Sequence, residues 1–164
     1  KTIFKLYYRN KGEVSCIMNV RWIEFKDIVD KRNDERPMGH LTPIEGLKDV
    51  PFEIKRIYHI TRVPENTIRG FHAHKALEQV LLCLNGNVKI NVSDPFSKEI
   101  FVLDNPAKGL YIGPGLWREM YDFSPASVLM VLASDIYTEE DYIRNYREYT
   151  EYAYEKSKET ANKI

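Results

Sequence analysis

The sequence predicts a mainly β protein, an antiparallel jelly-roll barrel followed by a short C-terminal helical segment. Short stretches of β-branched, aromatic and apolar residues recur through the middle of the 164-residue chain, separated by turn residues such as Asn85-Gly86. From about Thr138, the acidic run Glu139-Glu140-Asp141 opens a segment rich in Tyr, Ile and Arg, as a helix start does. A hydrophobic content of 43% suits one domain with a core.

The first half of the chain is predicted as short strands joined by polar loops. Residues 2–8 alternate apolar and polar side chains and form a strand, and residues 14–21 are a second candidate. Residues 22–29 fit either a short strand or a turn of helix, residues 30–37 form a polar loop, and residues 39–44 form a short strand. In a strand over residues 52–63, one face carries Ile54, Arg56, Tyr58 and Ile60.

The second half supplies the remaining strands and the helix. Strands are predicted for residues 69–74, 79–84, 87–92, 99–103, 109–112 and 127–133. The charged residues 155–164 are expected to fray. We therefore divide the chain into a β extension, a barrel and a helical tail, at residues 1–21, 22–137 and 138–164.

Composition and charge exclude several classes of partner. Lysine plus arginine and aspartate plus glutamate number 24 each, so no net field favours nucleic acid or an acidic membrane. No stretch has the length and apolar character to cross a bilayer, and no secretory leader is visible. We expect Cys16 and Cys83 to be free thiols in a reducing cytoplasm.

The stretch Arg69-Gly-Phe-His-Ala-His-Lys carries the densest chemistry. Side chains alternate along a strand, so His72 and His74 point to the same face. Glu78, four residues further on, returns to that face after a small irregularity. Two imidazoles and a carboxylate on one concave surface build either a metal site or an acid/base site.

This order of residues resembles the first motif of the cupins, small β-barrels with a His/His/Glu/His metal site. In the stretch that matches the second motif, residues 109–120, Arg118 or its neighbour Trp117 stands where the third histidine belongs. A protonated arginine has no lone pair to donate and repels a divalent cation. We therefore predict no metal and no cofactor, with a metal held by His72, His74 and Glu78 as the alternative.

Arginines add a second chemical signal. If Arg56 and Tyr58 point into the barrel, a guanidinium and a phenol enter the cavity that holds the histidines. A buried guanidinium needs an anionic partner, either Glu78 or a bound anion. Together with Arg69 and Arg118, Arg56 indicates a ligand that bears phosphates. The alternative is that these arginines are surface groups on the barrel rims.

The chain is similar to the sugar-nucleotide 3,4-ketoisomerases over about residues 52–146. The matching segments include Ile54-Lys-Arg-Ile-Tyr, the histidine motif, Leu77-Glu-Gln-Val and Asp141-Tyr-Ile-Arg. The resemblance implies isomerisation of dTDP-4-keto-6-deoxyglucose through an enediol, on the route to 3-amino sugars of surface glycans. It implies His72 as the base at carbon 3, His74 as its partner, and Tyr58 as the relay of the oxygen proton, without a metal.

The resemblance also implies substrate-binding residues and a partner. Arg56 and Arg69 would stabilise enediolate or pyrophosphate charge, and Glu78 and Trp117 belong to the matching motifs. Arg118 resembles the members that form the gluco product, whereas His40, at the second discriminating position, fits neither product type. A homodimer is expected, since family members pair barrels and tyrosines such as Tyr7, Tyr8, Tyr142, Tyr146 and Tyr149 suit an interface.

Other functions are weighed against this one. A cupin that binds a sugar nucleotide without turning it over would keep the same motifs. A metal-dependent dioxygenase or isomerase needs ligands that the sequence lacks. The deoxysugar 3,5-epimerases share the substrate class and the jelly-roll shape, but their motif order fits this chain poorly.

Overall fold

The computed structural model describes residues 7–8, 14–15, 19–33 and 35–161, and its strands form antiparallel sheets. The strands of the described part are β1 (Tyr7–Tyr8), β2 (Val14–Ser15), β3 (Val20–Glu24), β4 (Ile28–Lys31), β5 (Pro37–Leu41), β6 (Arg56–Thr61), β7 (Arg69–His74), β8 (Gln79–Asn85), β9 (Val88–Ser93), β10 (Lys98–Leu103), β11 (Lys108–Ile112), β12 (Trp117–Tyr121), β13 (Val128–Ala133) and β14 (Tyr142–Ile143). A 3₁₀ turn at Glu139–Asp141 precedes β14, and the helix α1 spans Tyr146–Ala161.

Two five-stranded sheets pack face to face. The first sheet has the strand order β10-β9-β12-β7-β14, and the second has the order β3-β11-β8-β13-β6. All pairings within them are antiparallel. Apolar side chains from both sheets form one core, among them Leu81, Ile90, Leu110 and Val131. The predicted mainly β, antiparallel jelly-roll fold is confirmed.

Strand β8 is buried on both faces. Leu81 and Cys83 point into the core between the sheets, and Cys83 is a buried free thiol, as predicted. Val80 and Leu82 point outward, where the segment that contains Val50 and Phe52 covers them. Burial on both sides explains why residues 80–83 form a continuous apolar run rather than an alternating one.

The helix packs on the outer face of the first sheet. Tyr149 is fully buried there beside Trp117, and its hydroxyl donates a hydrogen bond to the backbone carbonyl oxygen of Ser93 at 2.9 Å. Asn145 caps the N-terminus of α1, because its side-chain oxygen accepts the backbone N–H groups of Arg147 and Glu148. No helix among the residues described is long and apolar enough to cross a membrane.

The prediction of a helix at the C-terminal end was correct, but its predicted first residue was wrong. The helix begins at Tyr146 rather than near Thr138, and the acidic residues form the 3₁₀ turn instead. The helix continues to Ala161, so the prediction that residues 155–161 fray was wrong. Residues 162–164 lie outside the described part.

Several predicted boundaries in the first half also differ. The polar loop over residues 30–37 contains parts of the hairpin β4–β5, and β3 crosses the boundary drawn at residue 21. Of the predicted strand at residues 2–8, only Tyr7–Tyr8 lies in the described part. The Asn85-Gly86 turn is present, but β8 and β9, which it joins, belong to different sheets. Strand β12 was not predicted as a strand.

The buried hydroxyl of Tyr149 yields a stability prediction. Replacement by Phe keeps the ring but leaves the Ser93 carbonyl without this donor in a dry site. We expect Tyr149→Phe to lower the free energy of unfolding by about 1–2 kcal/mol in urea denaturation. The dependence of this free energy on urea concentration should not change.

The same helix offers a matched control. Tyr154 is 45% exposed and packs its ring on Phe96. Tyr154→Phe should change the free energy of unfolding by less than about 0.5 kcal/mol. Equal losses in the two variants would show that the buried hydrogen bond is not what anchors the helix.

Candidate active site

A polar cluster interrupts the apolar core between the sheets. It comprises Arg56 and Tyr58 on β6, His72 and His74 on β7, and Arg118 on β12. Alternation places Arg56, Tyr58 and Ile60 on the inner, half-buried face of β6, as predicted, while Ile54 lies before β6 and packs on the outer cluster. His72 and His74 share the inner face of β7, with ring centroids 4.9 Å apart.

A bulge in β7 shapes the approach to His72. Arg118 pairs with His72 but Glu119 pairs with Gly70, so Phe71 is the extra residue. Gly70 has φ +98°, and a Cβ there would lie 2.6 Å from the carbonyl oxygen of Arg118. Glycine is therefore required at this position. The bulge turns the Gly70 carbonyl oxygen toward Nδ1 of His72, at 3.0 Å.

Hydrogen bonds set the tautomer of each histidine. A carbonyl oxygen can only accept, so Nδ1 of His72 carries the hydrogen and Nε2 keeps its lone pair. Nδ1 of His74 lies 2.9 Å from Oδ2 of Asp141, and a carboxylate likewise accepts. Nε2 of His74 is buried and has no hydrogen-bond partner among the residues that the structure describes.

Burial and positive charge keep both histidines neutral. Burial and the Arg118 charge lower the pKa of His72 to about 4. Burial is the largest cause that lowers the pKa of His74, and the charges of Arg118 and of a protonated His72 lower it further, to about 2. Burial also raises the pKa of the Tyr58 phenol, so that this group holds its proton at neutral pH.

Arg118 is a buried cation without an anionic partner. Its side chain is 1% exposed, and none of its three guanidinium nitrogens has a hydrogen-bond partner in the described protein. Burial lowers the pKa of Arg118 to about 10, which still leaves it protonated at neutral pH. Nε of Arg56 is also buried without a partner. Since unpaired buried donors are costly, these groups are prepared for an anionic or oxygen-rich ligand.

Glu78 does not join the histidines, contrary to the prediction. Strand β8 starts at Gln79, which has the parity of Leu81 and Cys83 and therefore points inward. Gln79 donates its amide N–H to the Tyr58 hydroxyl at 2.9 Å. Glu78 lies on the outer side, where its carboxylate accepts the hydroxyl of Tyr111 at 2.5 Å.

Three other predicted substrate-binding residues lie away from the polar cluster within the chain. Trp117 points to the outer face of β12, packs against Tyr149 under α1 and donates Nε1–H to Glu119. Arg69 is exposed at the start of β7. His40 is exposed on β5, with Nδ1 2.9 Å from a carboxylate oxygen of Asp27.

The segment after β13 contributes residues that the sequence did not identify as part of the site. The Tyr142 ring lies against both histidines, with centroid distances of 5.0 Å to His72 and 4.3 Å to His74. Arg144 lies over the outer side of that ring at 4.3 Å and pairs with Glu139. The motif Asp141-Tyr-Ile-Arg was visible, but no local pattern connects it to β7. An open cavity of about 330 Å³ adjoins Arg56, Asp141 and Tyr142.

The residues of this cluster do not fit a cupin metal. Glu78 lies on the other side of the sheet, and Arg118 brings a positive charge where a third ligand would stand. Within the described ranges, no three His, Cys, Asp or Glu side chains converge closely enough to hold a metal ion. The arrangement is suited instead to proton transfer, with two neutral imidazoles, a protonated phenol and a stabilising cation.

Comparison with known proteins gives close relatives. The chain is 49% identical over 135 residues to the TDP-4-oxo-6-deoxy-alpha-D-glucose-3,4-oxoisomerase of Aneurinibacillus thermoaerophilus, covering 82% of this chain and 93% of that protein. The structure of the present chain resembles that of QdtA, a sugar 3,4-ketoisomerase from Thermoanaerobacterium thermosaccharolyticum solved with TDP. The TM-score is 0.80 and the sequence identity 54%, and the match covers 85% of this chain and 98% of QdtA.

A third relative is the WlaRB TDP-quinovose 3,4-ketoisomerase from Campylobacter jejuni. It has a TM-score of 0.75 and 44% identity, and the match covers 82% of this chain and 99% of that one. Residues 18–154 match the sequence profile of the family described as FdtA: WxcM-like, C-terminal. Because this match spans most of the chain, the protein belongs to the FdtA (WxcM-like, C-terminal) family.

Proposed function

We propose that the protein is a sugar-nucleotide 3,4-ketoisomerase that converts dTDP-4-keto-6-deoxy-D-glucose to a dTDP-3-keto-6-deoxyhexose. The observation that carries the proposal is a pair of neutral histidines, each with Nδ1 held by an acceptor, beside the unpaired buried cation Arg118. The relative from Aneurinibacillus is named for this reaction, and the sugar 3,4-ketoisomerase from Thermoanaerobacterium was solved with TDP, so both support the substrate class.

The reaction needs a base, a stabilised enediolate and an acid. His72 accepts the proton from carbon 3 at Nε2, and the electron pair of that C–H bond forms the enediolate with the neighbouring carbonyl. Arg118 stabilises the negative charge that develops on oxygen. The His72 imidazolium then delivers this proton to carbon 4, while Tyr58, oriented by Gln79, relays the hydroxyl proton from the oxygen on carbon 3 to that on carbon 4. The step is an isomerisation and leaves no net oxidant or proton.

Arginines outside the reacting centre would hold the nucleotide. Arg56 faces the open cavity and has a buried donor without a partner, which suits a phosphate oxygen. Arg69, exposed at the start of β7, remains a candidate for the pyrophosphate. The burial of Arg118 within the cluster is consistent with the gluco configuration of the product, and the relative named for TDP-quinovose, a gluco sugar, supports that choice.

We further propose that the protein forms a homodimer. Two of the tyrosines expected at the interface are engaged within the chain, because Tyr149 is buried under its own helix and Tyr142 lies against the histidines. Stronger support comes from the hairpin β4–β5, which lies apart from both large sheets and exposes Val29, Met38 and Leu41 at 50%, 64% and 52%. Apolar area of this kind favours burial against a second copy.

A cytoplasmic location completes the proposal. The buried free thiol of Cys83 is compatible with a reducing compartment, while Cys16 lies outside the described residues.

Substitution of His72 tests the assignment of the base. Asn keeps polarity and approximate size but cannot accept a proton near neutral pH. We expect His72→Asn to reduce turnover by at least about 10²–10⁴-fold while leaving dTDP-sugar binding nearly intact. The measurement is turnover of dTDP-4-keto-6-deoxyglucose, coupled to a 3-aminotransferase, together with deuterium exchange at carbon 3.

Tyr58→Phe provides the comparison, because it should slow turnover yet retain some exchange at carbon 3. If His72→Asn exchanges at the wild-type rate and His74→Asn does not, the two histidine roles are reversed. A wild-type protein that binds the substrate without exchange or turnover would instead be a sugar-nucleotide binding module.

Metal removal tests whether turnover is independent of a divalent ion, as the positive charge of Arg118 leads us to expect. We expect full turnover after exhaustive chelation, since the cation occupies the region of the third cupin ligand. Loss of activity that one added divalent ion restores would contradict this proposal.

The neutral state of the histidines predicts how stability depends on pH. Their folded pKa values, about 4 and about 2, lie below the unfolded value of 6.5, so the unfolded chain binds more protons as the pH falls. The stability associated with the neutral pair is therefore complete above pH 6.5 and decreases below it, by up to about 1.4 kcal/mol per pH unit for each histidine.

Urea denaturation between pH 7.5 and 5 measures this slope. The double variant His72→Asn/His74→Asn should lose most of the slope between pH 6.5 and 5, because the two titrating groups are gone. An identical slope in the wild type and the double variant would show that the pair is not neutral in the folded protein.

Light scattering at micromolar concentration tests the dimer. We expect twice the chain mass of 19.3 kDa. A monomer would refute the dimer without bearing on the catalytic proposal.

A further inference from the structure

We infer that Asp141 is a positioning residue that holds His74 in the tautomer with a free Nε2, so that this nitrogen accepts a hydrogen bond from a hydroxyl of the sugar and keeps the reacting carbons beside His72. The inference rests on the proposed isomerase function and deepens it, since it gives His74 a defined role beside the base His72.

The contact between the two side chains is direct and enclosed. Oδ2 of Asp141 lies 2.9 Å from Nδ1 of His74, and the two side chains are 19% and 0% exposed. The opposite end of the imidazole, Nε2, is buried and has no partner within the described part of the chain. A buried acceptor of this kind requires a ligand atom, which the substrate would supply.

The carboxylate is fixed before any substrate arrives. Its Oδ1 accepts the backbone N–H of Ala76 at 2.7 Å, and Oδ2 also receives the N–H of Leu77 at 3.4 Å. The backbone carbonyl of Asp141 accepts the N–H of Lys75 at 2.9 Å. These contacts lock the loop after β7 to the turn before β14, so the carboxylate has little freedom to leave the histidine.

The surrounding charges keep His74 neutral, and Asp141 decides which nitrogen carries its hydrogen. The charges that face His74 from the neighbouring elements include those of Arg118 on β12, Arg56 on β6 and Arg144 after β14, all of which disfavour an imidazolium. The Asp141 carboxylate accepts the Nδ1 hydrogen of His74, as the carbonyl of Gly70 does for His72, so both rings present a free Nε2.

The substitution Asp141→Asn separates positioning from structure. An amide can keep the acceptor for Ala76 while presenting N–H to Nδ1 of His74, which would move the imidazole hydrogen to Nε2. We expect a loss of at least about 10²-fold in kcat, little change in KM, and a fold that remains intact. Asp122→Asn is the matched control, because it makes the same change at an exposed carboxylate paired with Lys89 and should leave kcat unchanged.

Long-range ¹H–¹⁵N spectra of the imidazoles at neutral pH show which nitrogen of His74 carries the hydrogen, which an activity measurement cannot show. The His74 signals, assigned with His74→Asn, should show Nδ1 protonated in the wild type and Nε2 protonated in Asp141→Asn. A wild-type His74 protonated at Nε2 would overturn the inference even if the variant fails to fold. The inference would also be overturned if Asp141→Asn kept the wild-type kcat, or if this variant lost activity while the His74 tautomer stayed unchanged.

The two proposals can fail separately. If the wild type does not turn over dTDP-4-keto-6-deoxyglucose, the function is wrong, and the spectra still decide whether Asp141 sets the tautomer. If the wild type is active and Asp141→Asn matches it, only the role of Asp141 is lost.

Discussion

The guanidinium of Arg118 lies in the core between two sheets, where no acceptor from the described residues meets it, and the chemistry of the surrounding residues follows from that charge. Its field and the exclusion of water keep His72 and His74 neutral, and a neutral imidazole is the form that can accept a proton. The same cation disfavours a bound metal. Together with the outward position of Glu78, this charge favours proton transfer over metal binding at the site.

The fold makes that burial tolerable. Strand β12 carries Arg118 on its inner face and Trp117 and Glu119 on its outer face, where α1 packs through Tyr149. The Gly70–Phe71 bulge lies opposite Arg118 and turns a carbonyl toward His72. Packing on one side of the strand therefore fixes the geometry of the reacting groups on the other side.

Alternation along a strand was a reliable guide where the strand itself was correctly placed. It put His72 and His74 together, and Arg56 with Tyr58, because the side-chain period of two is a property of the local backbone. It did not place Glu78, which was expected to return to the face of the histidines after a small irregularity between the strands. Strand β8 begins at Gln79, as predicted, and Gln79 takes the inward position. A shift of one residue exchanges the two faces of a strand, and the connection between β7 and β8 does not reveal that shift locally.

The sequence by itself determined the mainly β class, the turn at Asn85-Gly86, the shared face of the histidines and the resemblance to the sugar-nucleotide ketoisomerases. These features depend on neighbours in the chain. Only the tertiary structure decided that β8 and β9 enter different sheets, that Trp117 lies under the helix, and that Asp141 meets His74 from 67 residues away. Strand pairing and packing between sheets bring distant segments together, and no local periodicity specifies which segments will meet.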